Sequence, residues 1–293
     1  MGGGNVRNPG AAMTEIDIQA WVGKTQTQID RLYNIPAMAL AATLDSLGCV
    51  APKDGDALPP LWAWLYFLPL VPMAEVGSDG HPKRGGFLPP VPLERRMWAG
   101  GRLKFNGALV VGGDSAERRS TILKISQKEG KTGSMVFVTL RHEIHQAGKL
   151  IIEEEQDLVY LPMPKAFTPP PPQLVPSCDW RQSIKIDPVL LFRFSALTFN
   201  GHRIHYDRPY AQDVEKYPGL VVHGPLQAIA LFEAASRHAP DRAITSFNFR
   251  AIRPLFDFDS VSLCGKAIPD GFELYTANAE DAIGTQASIT WAT

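Results

Sequence analysis

Cysteine is scarce in this chain: Cys49, Cys178 and Cys264 are the only three among 293 residues, and they lie far apart. An odd, dispersed set builds neither a disulfide framework nor a zinc site, and it suits a reducing compartment. An excess of charge of one sign is also missing, with 29 Lys and Arg against 30 Asp and Glu. A general polyanion-binding surface is not indicated, so nucleic acid is not an expected partner. Long apolar runs are absent too. The longest, Leu61–Met73, is broken by Pro69 and Pro72, and it falls short of the roughly 20 residues that a spanning helix needs. Met1–Ala12 is rich in Gly and Asn and has no apolar segment, so no secretory leader is read there. Together these absences predict a cytoplasmic protein that does not enter a membrane. The segment His142-Glu143-Ile144-His145 does not have the His-Glu-x-x-His spacing of a metalloprotease. No metal and no cofactor are expected.

Proline, by contrast, is concentrated. Pro162–Pro176 contains four consecutive prolines, Pro169–Pro172, which cannot join a helix or a central strand and predict an extended, semi-rigid linker. Four regions follow: a disordered extension over 1–13, an N-terminal unit over 14–161, the linker over 162–176, and a C-terminal unit over 177–293. In the N-terminal unit, Pro36–Leu47 reads as a helix stopped at Gly48. Strands fit Gly101–Val111, Arg118–Gln127, Ser134–His145 and Leu150–Tyr160, with Gly-containing turns between them. In the C-terminal unit a short strand fits Asp179–Ile186 and a helix fits Pro188–Ser195. Pro225–Ala235 reads as a strong helix, with Gly224 at its cap and Leu226, Ile229, Ala230 and Phe232 at helical spacing. Strands then fit Ala243–Ile252, Ser260–Ile268, Gly271–Ala279 and Gly284–Trp291. Each unit offers a helix followed by about four strands, which predicts an α+β fold with a sheet around a helix, present twice.

Chemistry concentrates in Phe199-Asn200-Gly201-His202-Arg203-Ile204-His205-Tyr206-Asp207, followed by His223-Gly224-Pro225. An imidazole that exchanges protons, next to a helix start whose free N–H groups can hold an oxyanion, suits water addition to an enoyl thioester. A turn whose polar groups satisfy local backbone, or a metal held by the histidines, remains open from the residues alone. Lys83, Arg84, Arg95, Arg96 and Arg102 form a local basic cluster around Trp98. Arginine forks suit phosphate and carboxylate, and solvated surface charge is the alternative. Leu61–Met73 is either core or the apolar wall of an acyl pocket, and Glu153-Glu154-Glu155 reads as a solvated strand edge.

The stretch Phe194–Leu226 resembles the MaoC-like hydratase and dehydratase family of hot-dog proteins. The whole chain resembles its double-hot-dog branch, with Asp79–Phe105 and Glu153–Tyr160 carrying the likeness in the N-terminal unit. The resemblance implies two antiparallel sheets, each wrapped around a central helix, with a degenerate N-terminal hot dog. It implies a hydro-lyase acting on an acyl-CoA thioester, as a monomer or homodimer. The branch includes hydratases of mesaconyl-C4-CoA, which is the substrate expected here, with citramalyl-CoA as product. Itaconyl-CoA hydration, dehydration of 3-hydroxyacyl thioesters in fatty acid synthesis, and a non-catalytic acyl-CoA-binding role are the alternatives. By position, His205 falls on the family's catalytic His, and Gly224 on the glycine whose N–H polarises the thioester carbonyl. Asn200 replaces the catalytic Asp, and an amide cannot act as a base. Arg203 and Arg96 are then candidates for a substrate carboxylate, and Arg95, Trp98 and His223 are further substrate-binding candidates.

Overall fold

The computed structural model describes residues 17–130 and 133–292; the extension expected over 1–13 lies outside them. Ten strands are present among the described residues: β1 Thr25–Asp30, β2 Arg95–Phe105, β3 Ala116–Gly130, β4 Gly133–Gln146, β5 Lys149–Leu161, β6 Trp180–Ile184, β7 Ile244–Ala251, β8 Val261–Ile268, β9 Gly271–Ala277 and β10 Ile283–Trp291. Their order is β1-β3-β4-β5-β2-β7-β10-β9-β8-β6, with antiparallel pairing at the seam between β2 and β7. Counted within its own half, each five-strand set runs 1-3-4-5-2. The duplication read from element order is therefore present in the pairing as well. The two sheets of the double hot dog meet edge to edge at β2 and β7, which hides one edge of each from solvent.

That seam explains a displaced strand. The sequence reading began β2 at Gly101, whereas β2 starts at Arg95 and ends at Phe105. Gly100 and Gly101 lie inside the strand, after a bulge at Trp98. A Cβ on Gly100 would stand 2.5 Å from the Phe249 carbonyl oxygen, and one on Gly101 would stand 2.9 Å from the Phe249 ring. These glycines are needed where one half closes on the other, so here they mark a close approach and not a strand boundary.

Three α-helices stand among the described residues: α1 Asn34–Thr43, α2 Pro188–Leu197 and α3 Gly224–His238. Leu44 ends α1 earlier than read, and Asp45–Leu47 forms a separate 3-10 turn closed by Gly48 at φ 67°. α3 is the central helix. It packs on β7, β8, β9 and β10, and every residue from Leu226 to Phe232 is buried. A helix apolar on all sides has to be enclosed. Burying Leu226, Ile229, Leu231 and Phe232 contributes roughly 1.5–3 kcal/mol each. α1 packs chiefly on α2 and on the 3-10 turn Pro60–Leu65. One continuous core joins the halves, uniting Leu40, Leu65, Leu103 and Ile152 with Phe194, Leu226 and Phe247. Between β5 and β6 the proline-rich segment has no helix or strand, apart from a bridge between Leu174 and Ala282.

The run Glu153-Glu154-Glu155 is not a strand edge. β5 is interior, between β4 and β2. Strand alternation turns Glu154 inward, where it is buried and accepts from the Trp64 indole N–H at 3.1 Å. Burial pushes its carboxyl up to about 7. His142 is likewise structural, held between the Ser120 hydroxyl at 2.7 Å and Gln156 at 3.1 Å.

Candidate active site

α2 delivers the histidine motif. Asp187 caps its start, accepting from the Leu190 N–H at 2.9 Å. Its end is turned by Phe199 in the left-handed region at φ 50°, with the Asn200 N–H donating to the Ser195 carbonyl at 2.8 Å. A non-glycine residue there costs about 1–2 kcal/mol, and the strain sits one residue before Asn200. The Asn200 Oδ1 accepts the His202 backbone N–H at 3.1 Å. A backbone N–H only donates, so the amide orientation is set and the Nδ2 donors are left for another group.

The same reasoning assigns the proton on His205. Its Nδ1 lies 2.7 Å from the Val221 carbonyl oxygen, an acceptor, so Nδ1 carries the hydrogen and Nε2 the lone pair. Nε2 has no partner among the described residues and is not sealed from solvent. Burial first, and then the neighbouring His202, hold the imidazole down at about 3. At neutral pH His205 is a neutral imidazole whose Nε2 carries a free lone pair in a fixed direction.

His223 stacks on His205 with ring centroids 3.7 Å apart. It is sealed from solvent and bonds the Ser195 hydroxyl through Nε2 at 2.9 Å. Burial, then His205 and His202, keep it neutral. His223 therefore backs the His205 ring and does not face an open site. Immediately after it, α3 opens with Gly224 and Pro225 and without a side-chain cap. Among the described residues no acceptor meets the N–H of Gly224 or of Leu226. Two free donors thus stand at the positive end of a buried helix, directly after the histidine that stacks on His205.

The basic candidates divide. Arg203 donates to Asp207 Oδ2 through Nε at 2.9 Å and Nη2 at 2.7 Å, and to the Ser78 carbonyl at 3.0 Å. Arg95 bonds buried Glu215 at 3.2 Å and also the Tyr217 hydroxyl. Glu215 in turn holds the His202 Nε2 at 2.9 Å, so Arg95 and Arg203 both brace the motif. Arg102 is tied to Glu155 at 3.0 Å and to Asp157 on the exposed sheet face. Arg96 has no ion-pair partner among the described residues; its guanidinium lies near the Tyr160 hydroxyl, and it lines a cleft of about 780 Å³. Trp98 is half-buried against Trp64 and Phe249, and its carbonyl oxygen is 3.9 Å from where a Gly224 Cβ would sit.

Residue-by-residue reading did not single out Asp79, Gly80, His81 and Glu215. The loop Gly77–Pro82 crosses from the N-terminal half onto the motif. The Arg203 N–H donates to the Asp79 carbonyl at 3.0 Å, and the His81 ring lies 4.2 Å from the His202 ring. Gly80, at φ 88°, would place a Cβ 1.7 Å from the Gly201 carbonyl oxygen. The available signal was the paired turn glycines, Gly80 and Gly201, which approach closely only after folding.

A ten-stranded double sheet with a central helix, and a histidine motif facing that helix's start, define a MaoC-like double-hot-dog hydro-lyase. The family described as hydroxyacyl-thioester dehydratase type 2 matches residues 61–257, and the chain belongs to it. It is 46% identical to the mesaconyl-C(4)-CoA hydratase of Chloroflexus aurantiacus over 94% of this chain and 99% of that one. It is 27% identical to the mitochondrial hydroxyacyl-thioester dehydratase type 2 of Schizosaccharomyces pombe, over 80% and 88% of the two chains. A Mycobacterium tuberculosis protein described as having a double hot-dog fold superposes with a TM-score of 0.55, at 13% identity, over 92% of this chain and 96% of that one. No helix among the described residues is long and apolar enough to cross a membrane.

Proposed function

We propose that this enzyme adds water reversibly to mesaconyl-C4-CoA, giving citramalyl-CoA, with His205 as the acid/base. The near-full-length likeness to the Chloroflexus hydratase carries this reading. The site chemistry supports the reaction type. His205 Nε2 takes a proton from water as the water oxygen bonds to the β-carbon. The electron pair of the double bond moves onto the thioester carbonyl, whose oxygen is held by the Gly224 N–H. The imidazolium then returns its proton to the α-carbon, so one water is added and the enzyme is restored. Asn200 donates from Nδ2 to the water or hydroxyl oxygen and orients it. Proton transfer of this kind contributes about 10²–10⁴-fold in rate, and an oxyanion donor about 3 kcal/mol. We place the enzyme in the cytoplasm, acting as a monomer or homodimer, because the paired sheet is already complete within one chain.

The likeness to the Schizosaccharomyces dehydratase keeps dehydration of 3-hydroxyacyl thioesters as the second reading. Purified enzyme assayed on mesaconyl-C4-CoA, itaconyl-CoA and crotonyl-CoA decides between them, with loss of enoyl thioester and product mass followed together. Strong preference for mesaconyl-C4-CoA is expected. Preference for crotonyl-CoA would move the enzyme to the dehydratase reading, and no water addition to any substrate would overturn the hydratase assignment.

A further inference from the structure

The cleft beside the histidine motif has a composition that the reaction at His205 does not explain. It lies between the loop Gly77–Glu94 and the segment Arg203–Val214, and Lys83, Arg84, Arg96 and Arg203 all line it. Three of these cations are occupied. Lys83 Nζ donates to the Ala74 carbonyl at 2.7 Å. Arg84 donates to the carbonyl of Val91 at 2.8 Å and to those of Leu93 and Glu94. Arg203 is held by Asp207 and Ser78. The acids do not neutralise the fourth. Asp79 is turned onto His81, and the Glu94 carboxylate accepts the Met163 N–H at 3.2 Å. Neither these two nor Asp213, the third acid of the lining, forms an ion pair with Arg96, whose guanidinium fork meets no carboxylate among the described residues. Across the strand pair from Arg96 stands Tyr160, whose buried hydroxyl is a neutral group near the Arg96 guanidinium.

His81 lines the same cleft as Arg96. Asp79 takes its backbone N–H on Oδ1 at 3.0 Å and its Nδ1 on Oδ2 at 3.0 Å. The ring is therefore fixed, and Nε2 has no partner among the described residues. A planar fork and an imidazole of fixed orientation on one wall suit a carboxylate or phosphate oxygen cluster. Arg96 and His81 both line this cleft, whereas His205, Asn200 and Gly224 do not. The Arg96 site is thus adjacent to the reacting groups and distinct from them.

We infer that this cleft is an anion subsite of the thioester substrate, in which Arg96 supplies the charge and His81, oriented by Asp79, the second contact. The inference rests on the thioester reading above. The anion is either a carboxylate on the acyl group or a phosphate of the CoA portion, and the test separates them. Arg96→Gln and His81→Gln are compared with wild type on mesaconyl-C4-CoA, crotonyl-CoA and the pantetheine thioester of crotonate. Arg102→Gln serves as a charge-matched control outside the cleft. Arg96→Gln should raise KM by roughly tenfold to a hundredfold, and His81→Gln by less, with unchanged melting temperatures. A loss confined to mesaconyl-C4-CoA assigns the subsite to the acyl carboxylate. A loss on both CoA thioesters but not on the pantetheine thioester assigns it to a phosphate. An equal loss on all three, no loss, or the same loss in Arg102→Gln overturns the subsite. If wild type hydrates none of the three, the hydratase reading fails separately. The same comparison made as Kd for each thioester then decides the subsite.

Discussion

Acidifying the protein from pH 7 to pH 5 should cost stability through histidines that fold in their neutral form. His205 is held down at about 3 and His142 at about 4, each chiefly by burial. In the unfolded chain both return to about 6.5. The unfolded state therefore binds protons that the folded state refuses. This contribution is complete above pH 6.5 and is lost as the pH falls toward the folded values. At pH 5 each histidine lies about 1.5 units below its unfolded value, so each costs about 2 kcal/mol relative to pH 7. Glu154 opposes them. Its folded value of about 7 lies above its unfolded value, so the folded state gains about as much, roughly 2 kcal/mol, over the same interval. The clean observable is a difference of differences. Urea unfolding at pH 7 and pH 5 is measured for wild type and for His205→Gln, whose amide can still donate to the Val221 carbonyl. Each protein is compared with itself, so any fixed packing penalty cancels. The wild type should lose about 2 kcal/mol more than the variant between the two pH values, a large share of the 5–15 kcal/mol typical of a domain. Equal losses would refute a buried, neutral His205, and with it the assignment of Nε2 as a base.

Other outcomes follow from the same geometry. His205→Gln should also lower turnover by about 10²–10⁴-fold while the melting temperature at pH 7 changes little; near wild-type turnover would remove His205 from the mechanism. Gly224→Ala should fold, because the added methyl meets only the Trp98 carbonyl oxygen at an ordinary 3.9 Å. Its turnover should fall as the methyl crowds the oxyanion site, and an unchanged kcat would place the oxyanion elsewhere. Gly80→Ala should lower the melting temperature and turnover together, since its Cβ would overlap the Gly201 carbonyl oxygen in a left-handed backbone. Wild-type values for both would mean that the loop does not hold the motif. Asn200→Ala should lower kcat more than it raises KM, and an effect on KM alone would make Asn200 a binding group.

Much of the fold was legible because local patterns there agree with the tertiary environment. Strands β3, β4 and β5 alternate along buried and solvated faces, and α3 begins at a Gly-Pro pair and is largely apolar from Leu226 to Phe232. β1 was not read. Its residues Thr25-Gln26-Thr27-Gln28-Ile29-Asp30 are mostly exposed, so no apolar face announces it, and it exists by pairing with β3. The acidic run on β5 misled for a related reason. Charge pattern reports average solvation, while alternation decides which carboxyl turns inward.

At the site, the chemical types were set by sequence alone: an imidazole at 205, an amide in place of a carboxylate at 200, and a helix start at Gly224. Such properties belong to single residues and to neighbours in the chain. Which arginine is free was decided only by the tertiary structure. Arg95, Arg96 and Arg203 are equivalent as sequence, because a guanidinium is committed or vacant according to acids and carbonyls brought from distant segments. Glu215 occupies Arg95, Asp207 and Ser78 occupy Arg203, and Arg96 is left facing the cleft. The proton position on His205 was likewise settled by a carbonyl sixteen residues away in the chain, at Val221. Hydrogen bonds are fixed by distance and direction in space, and the linear order of residues carries neither.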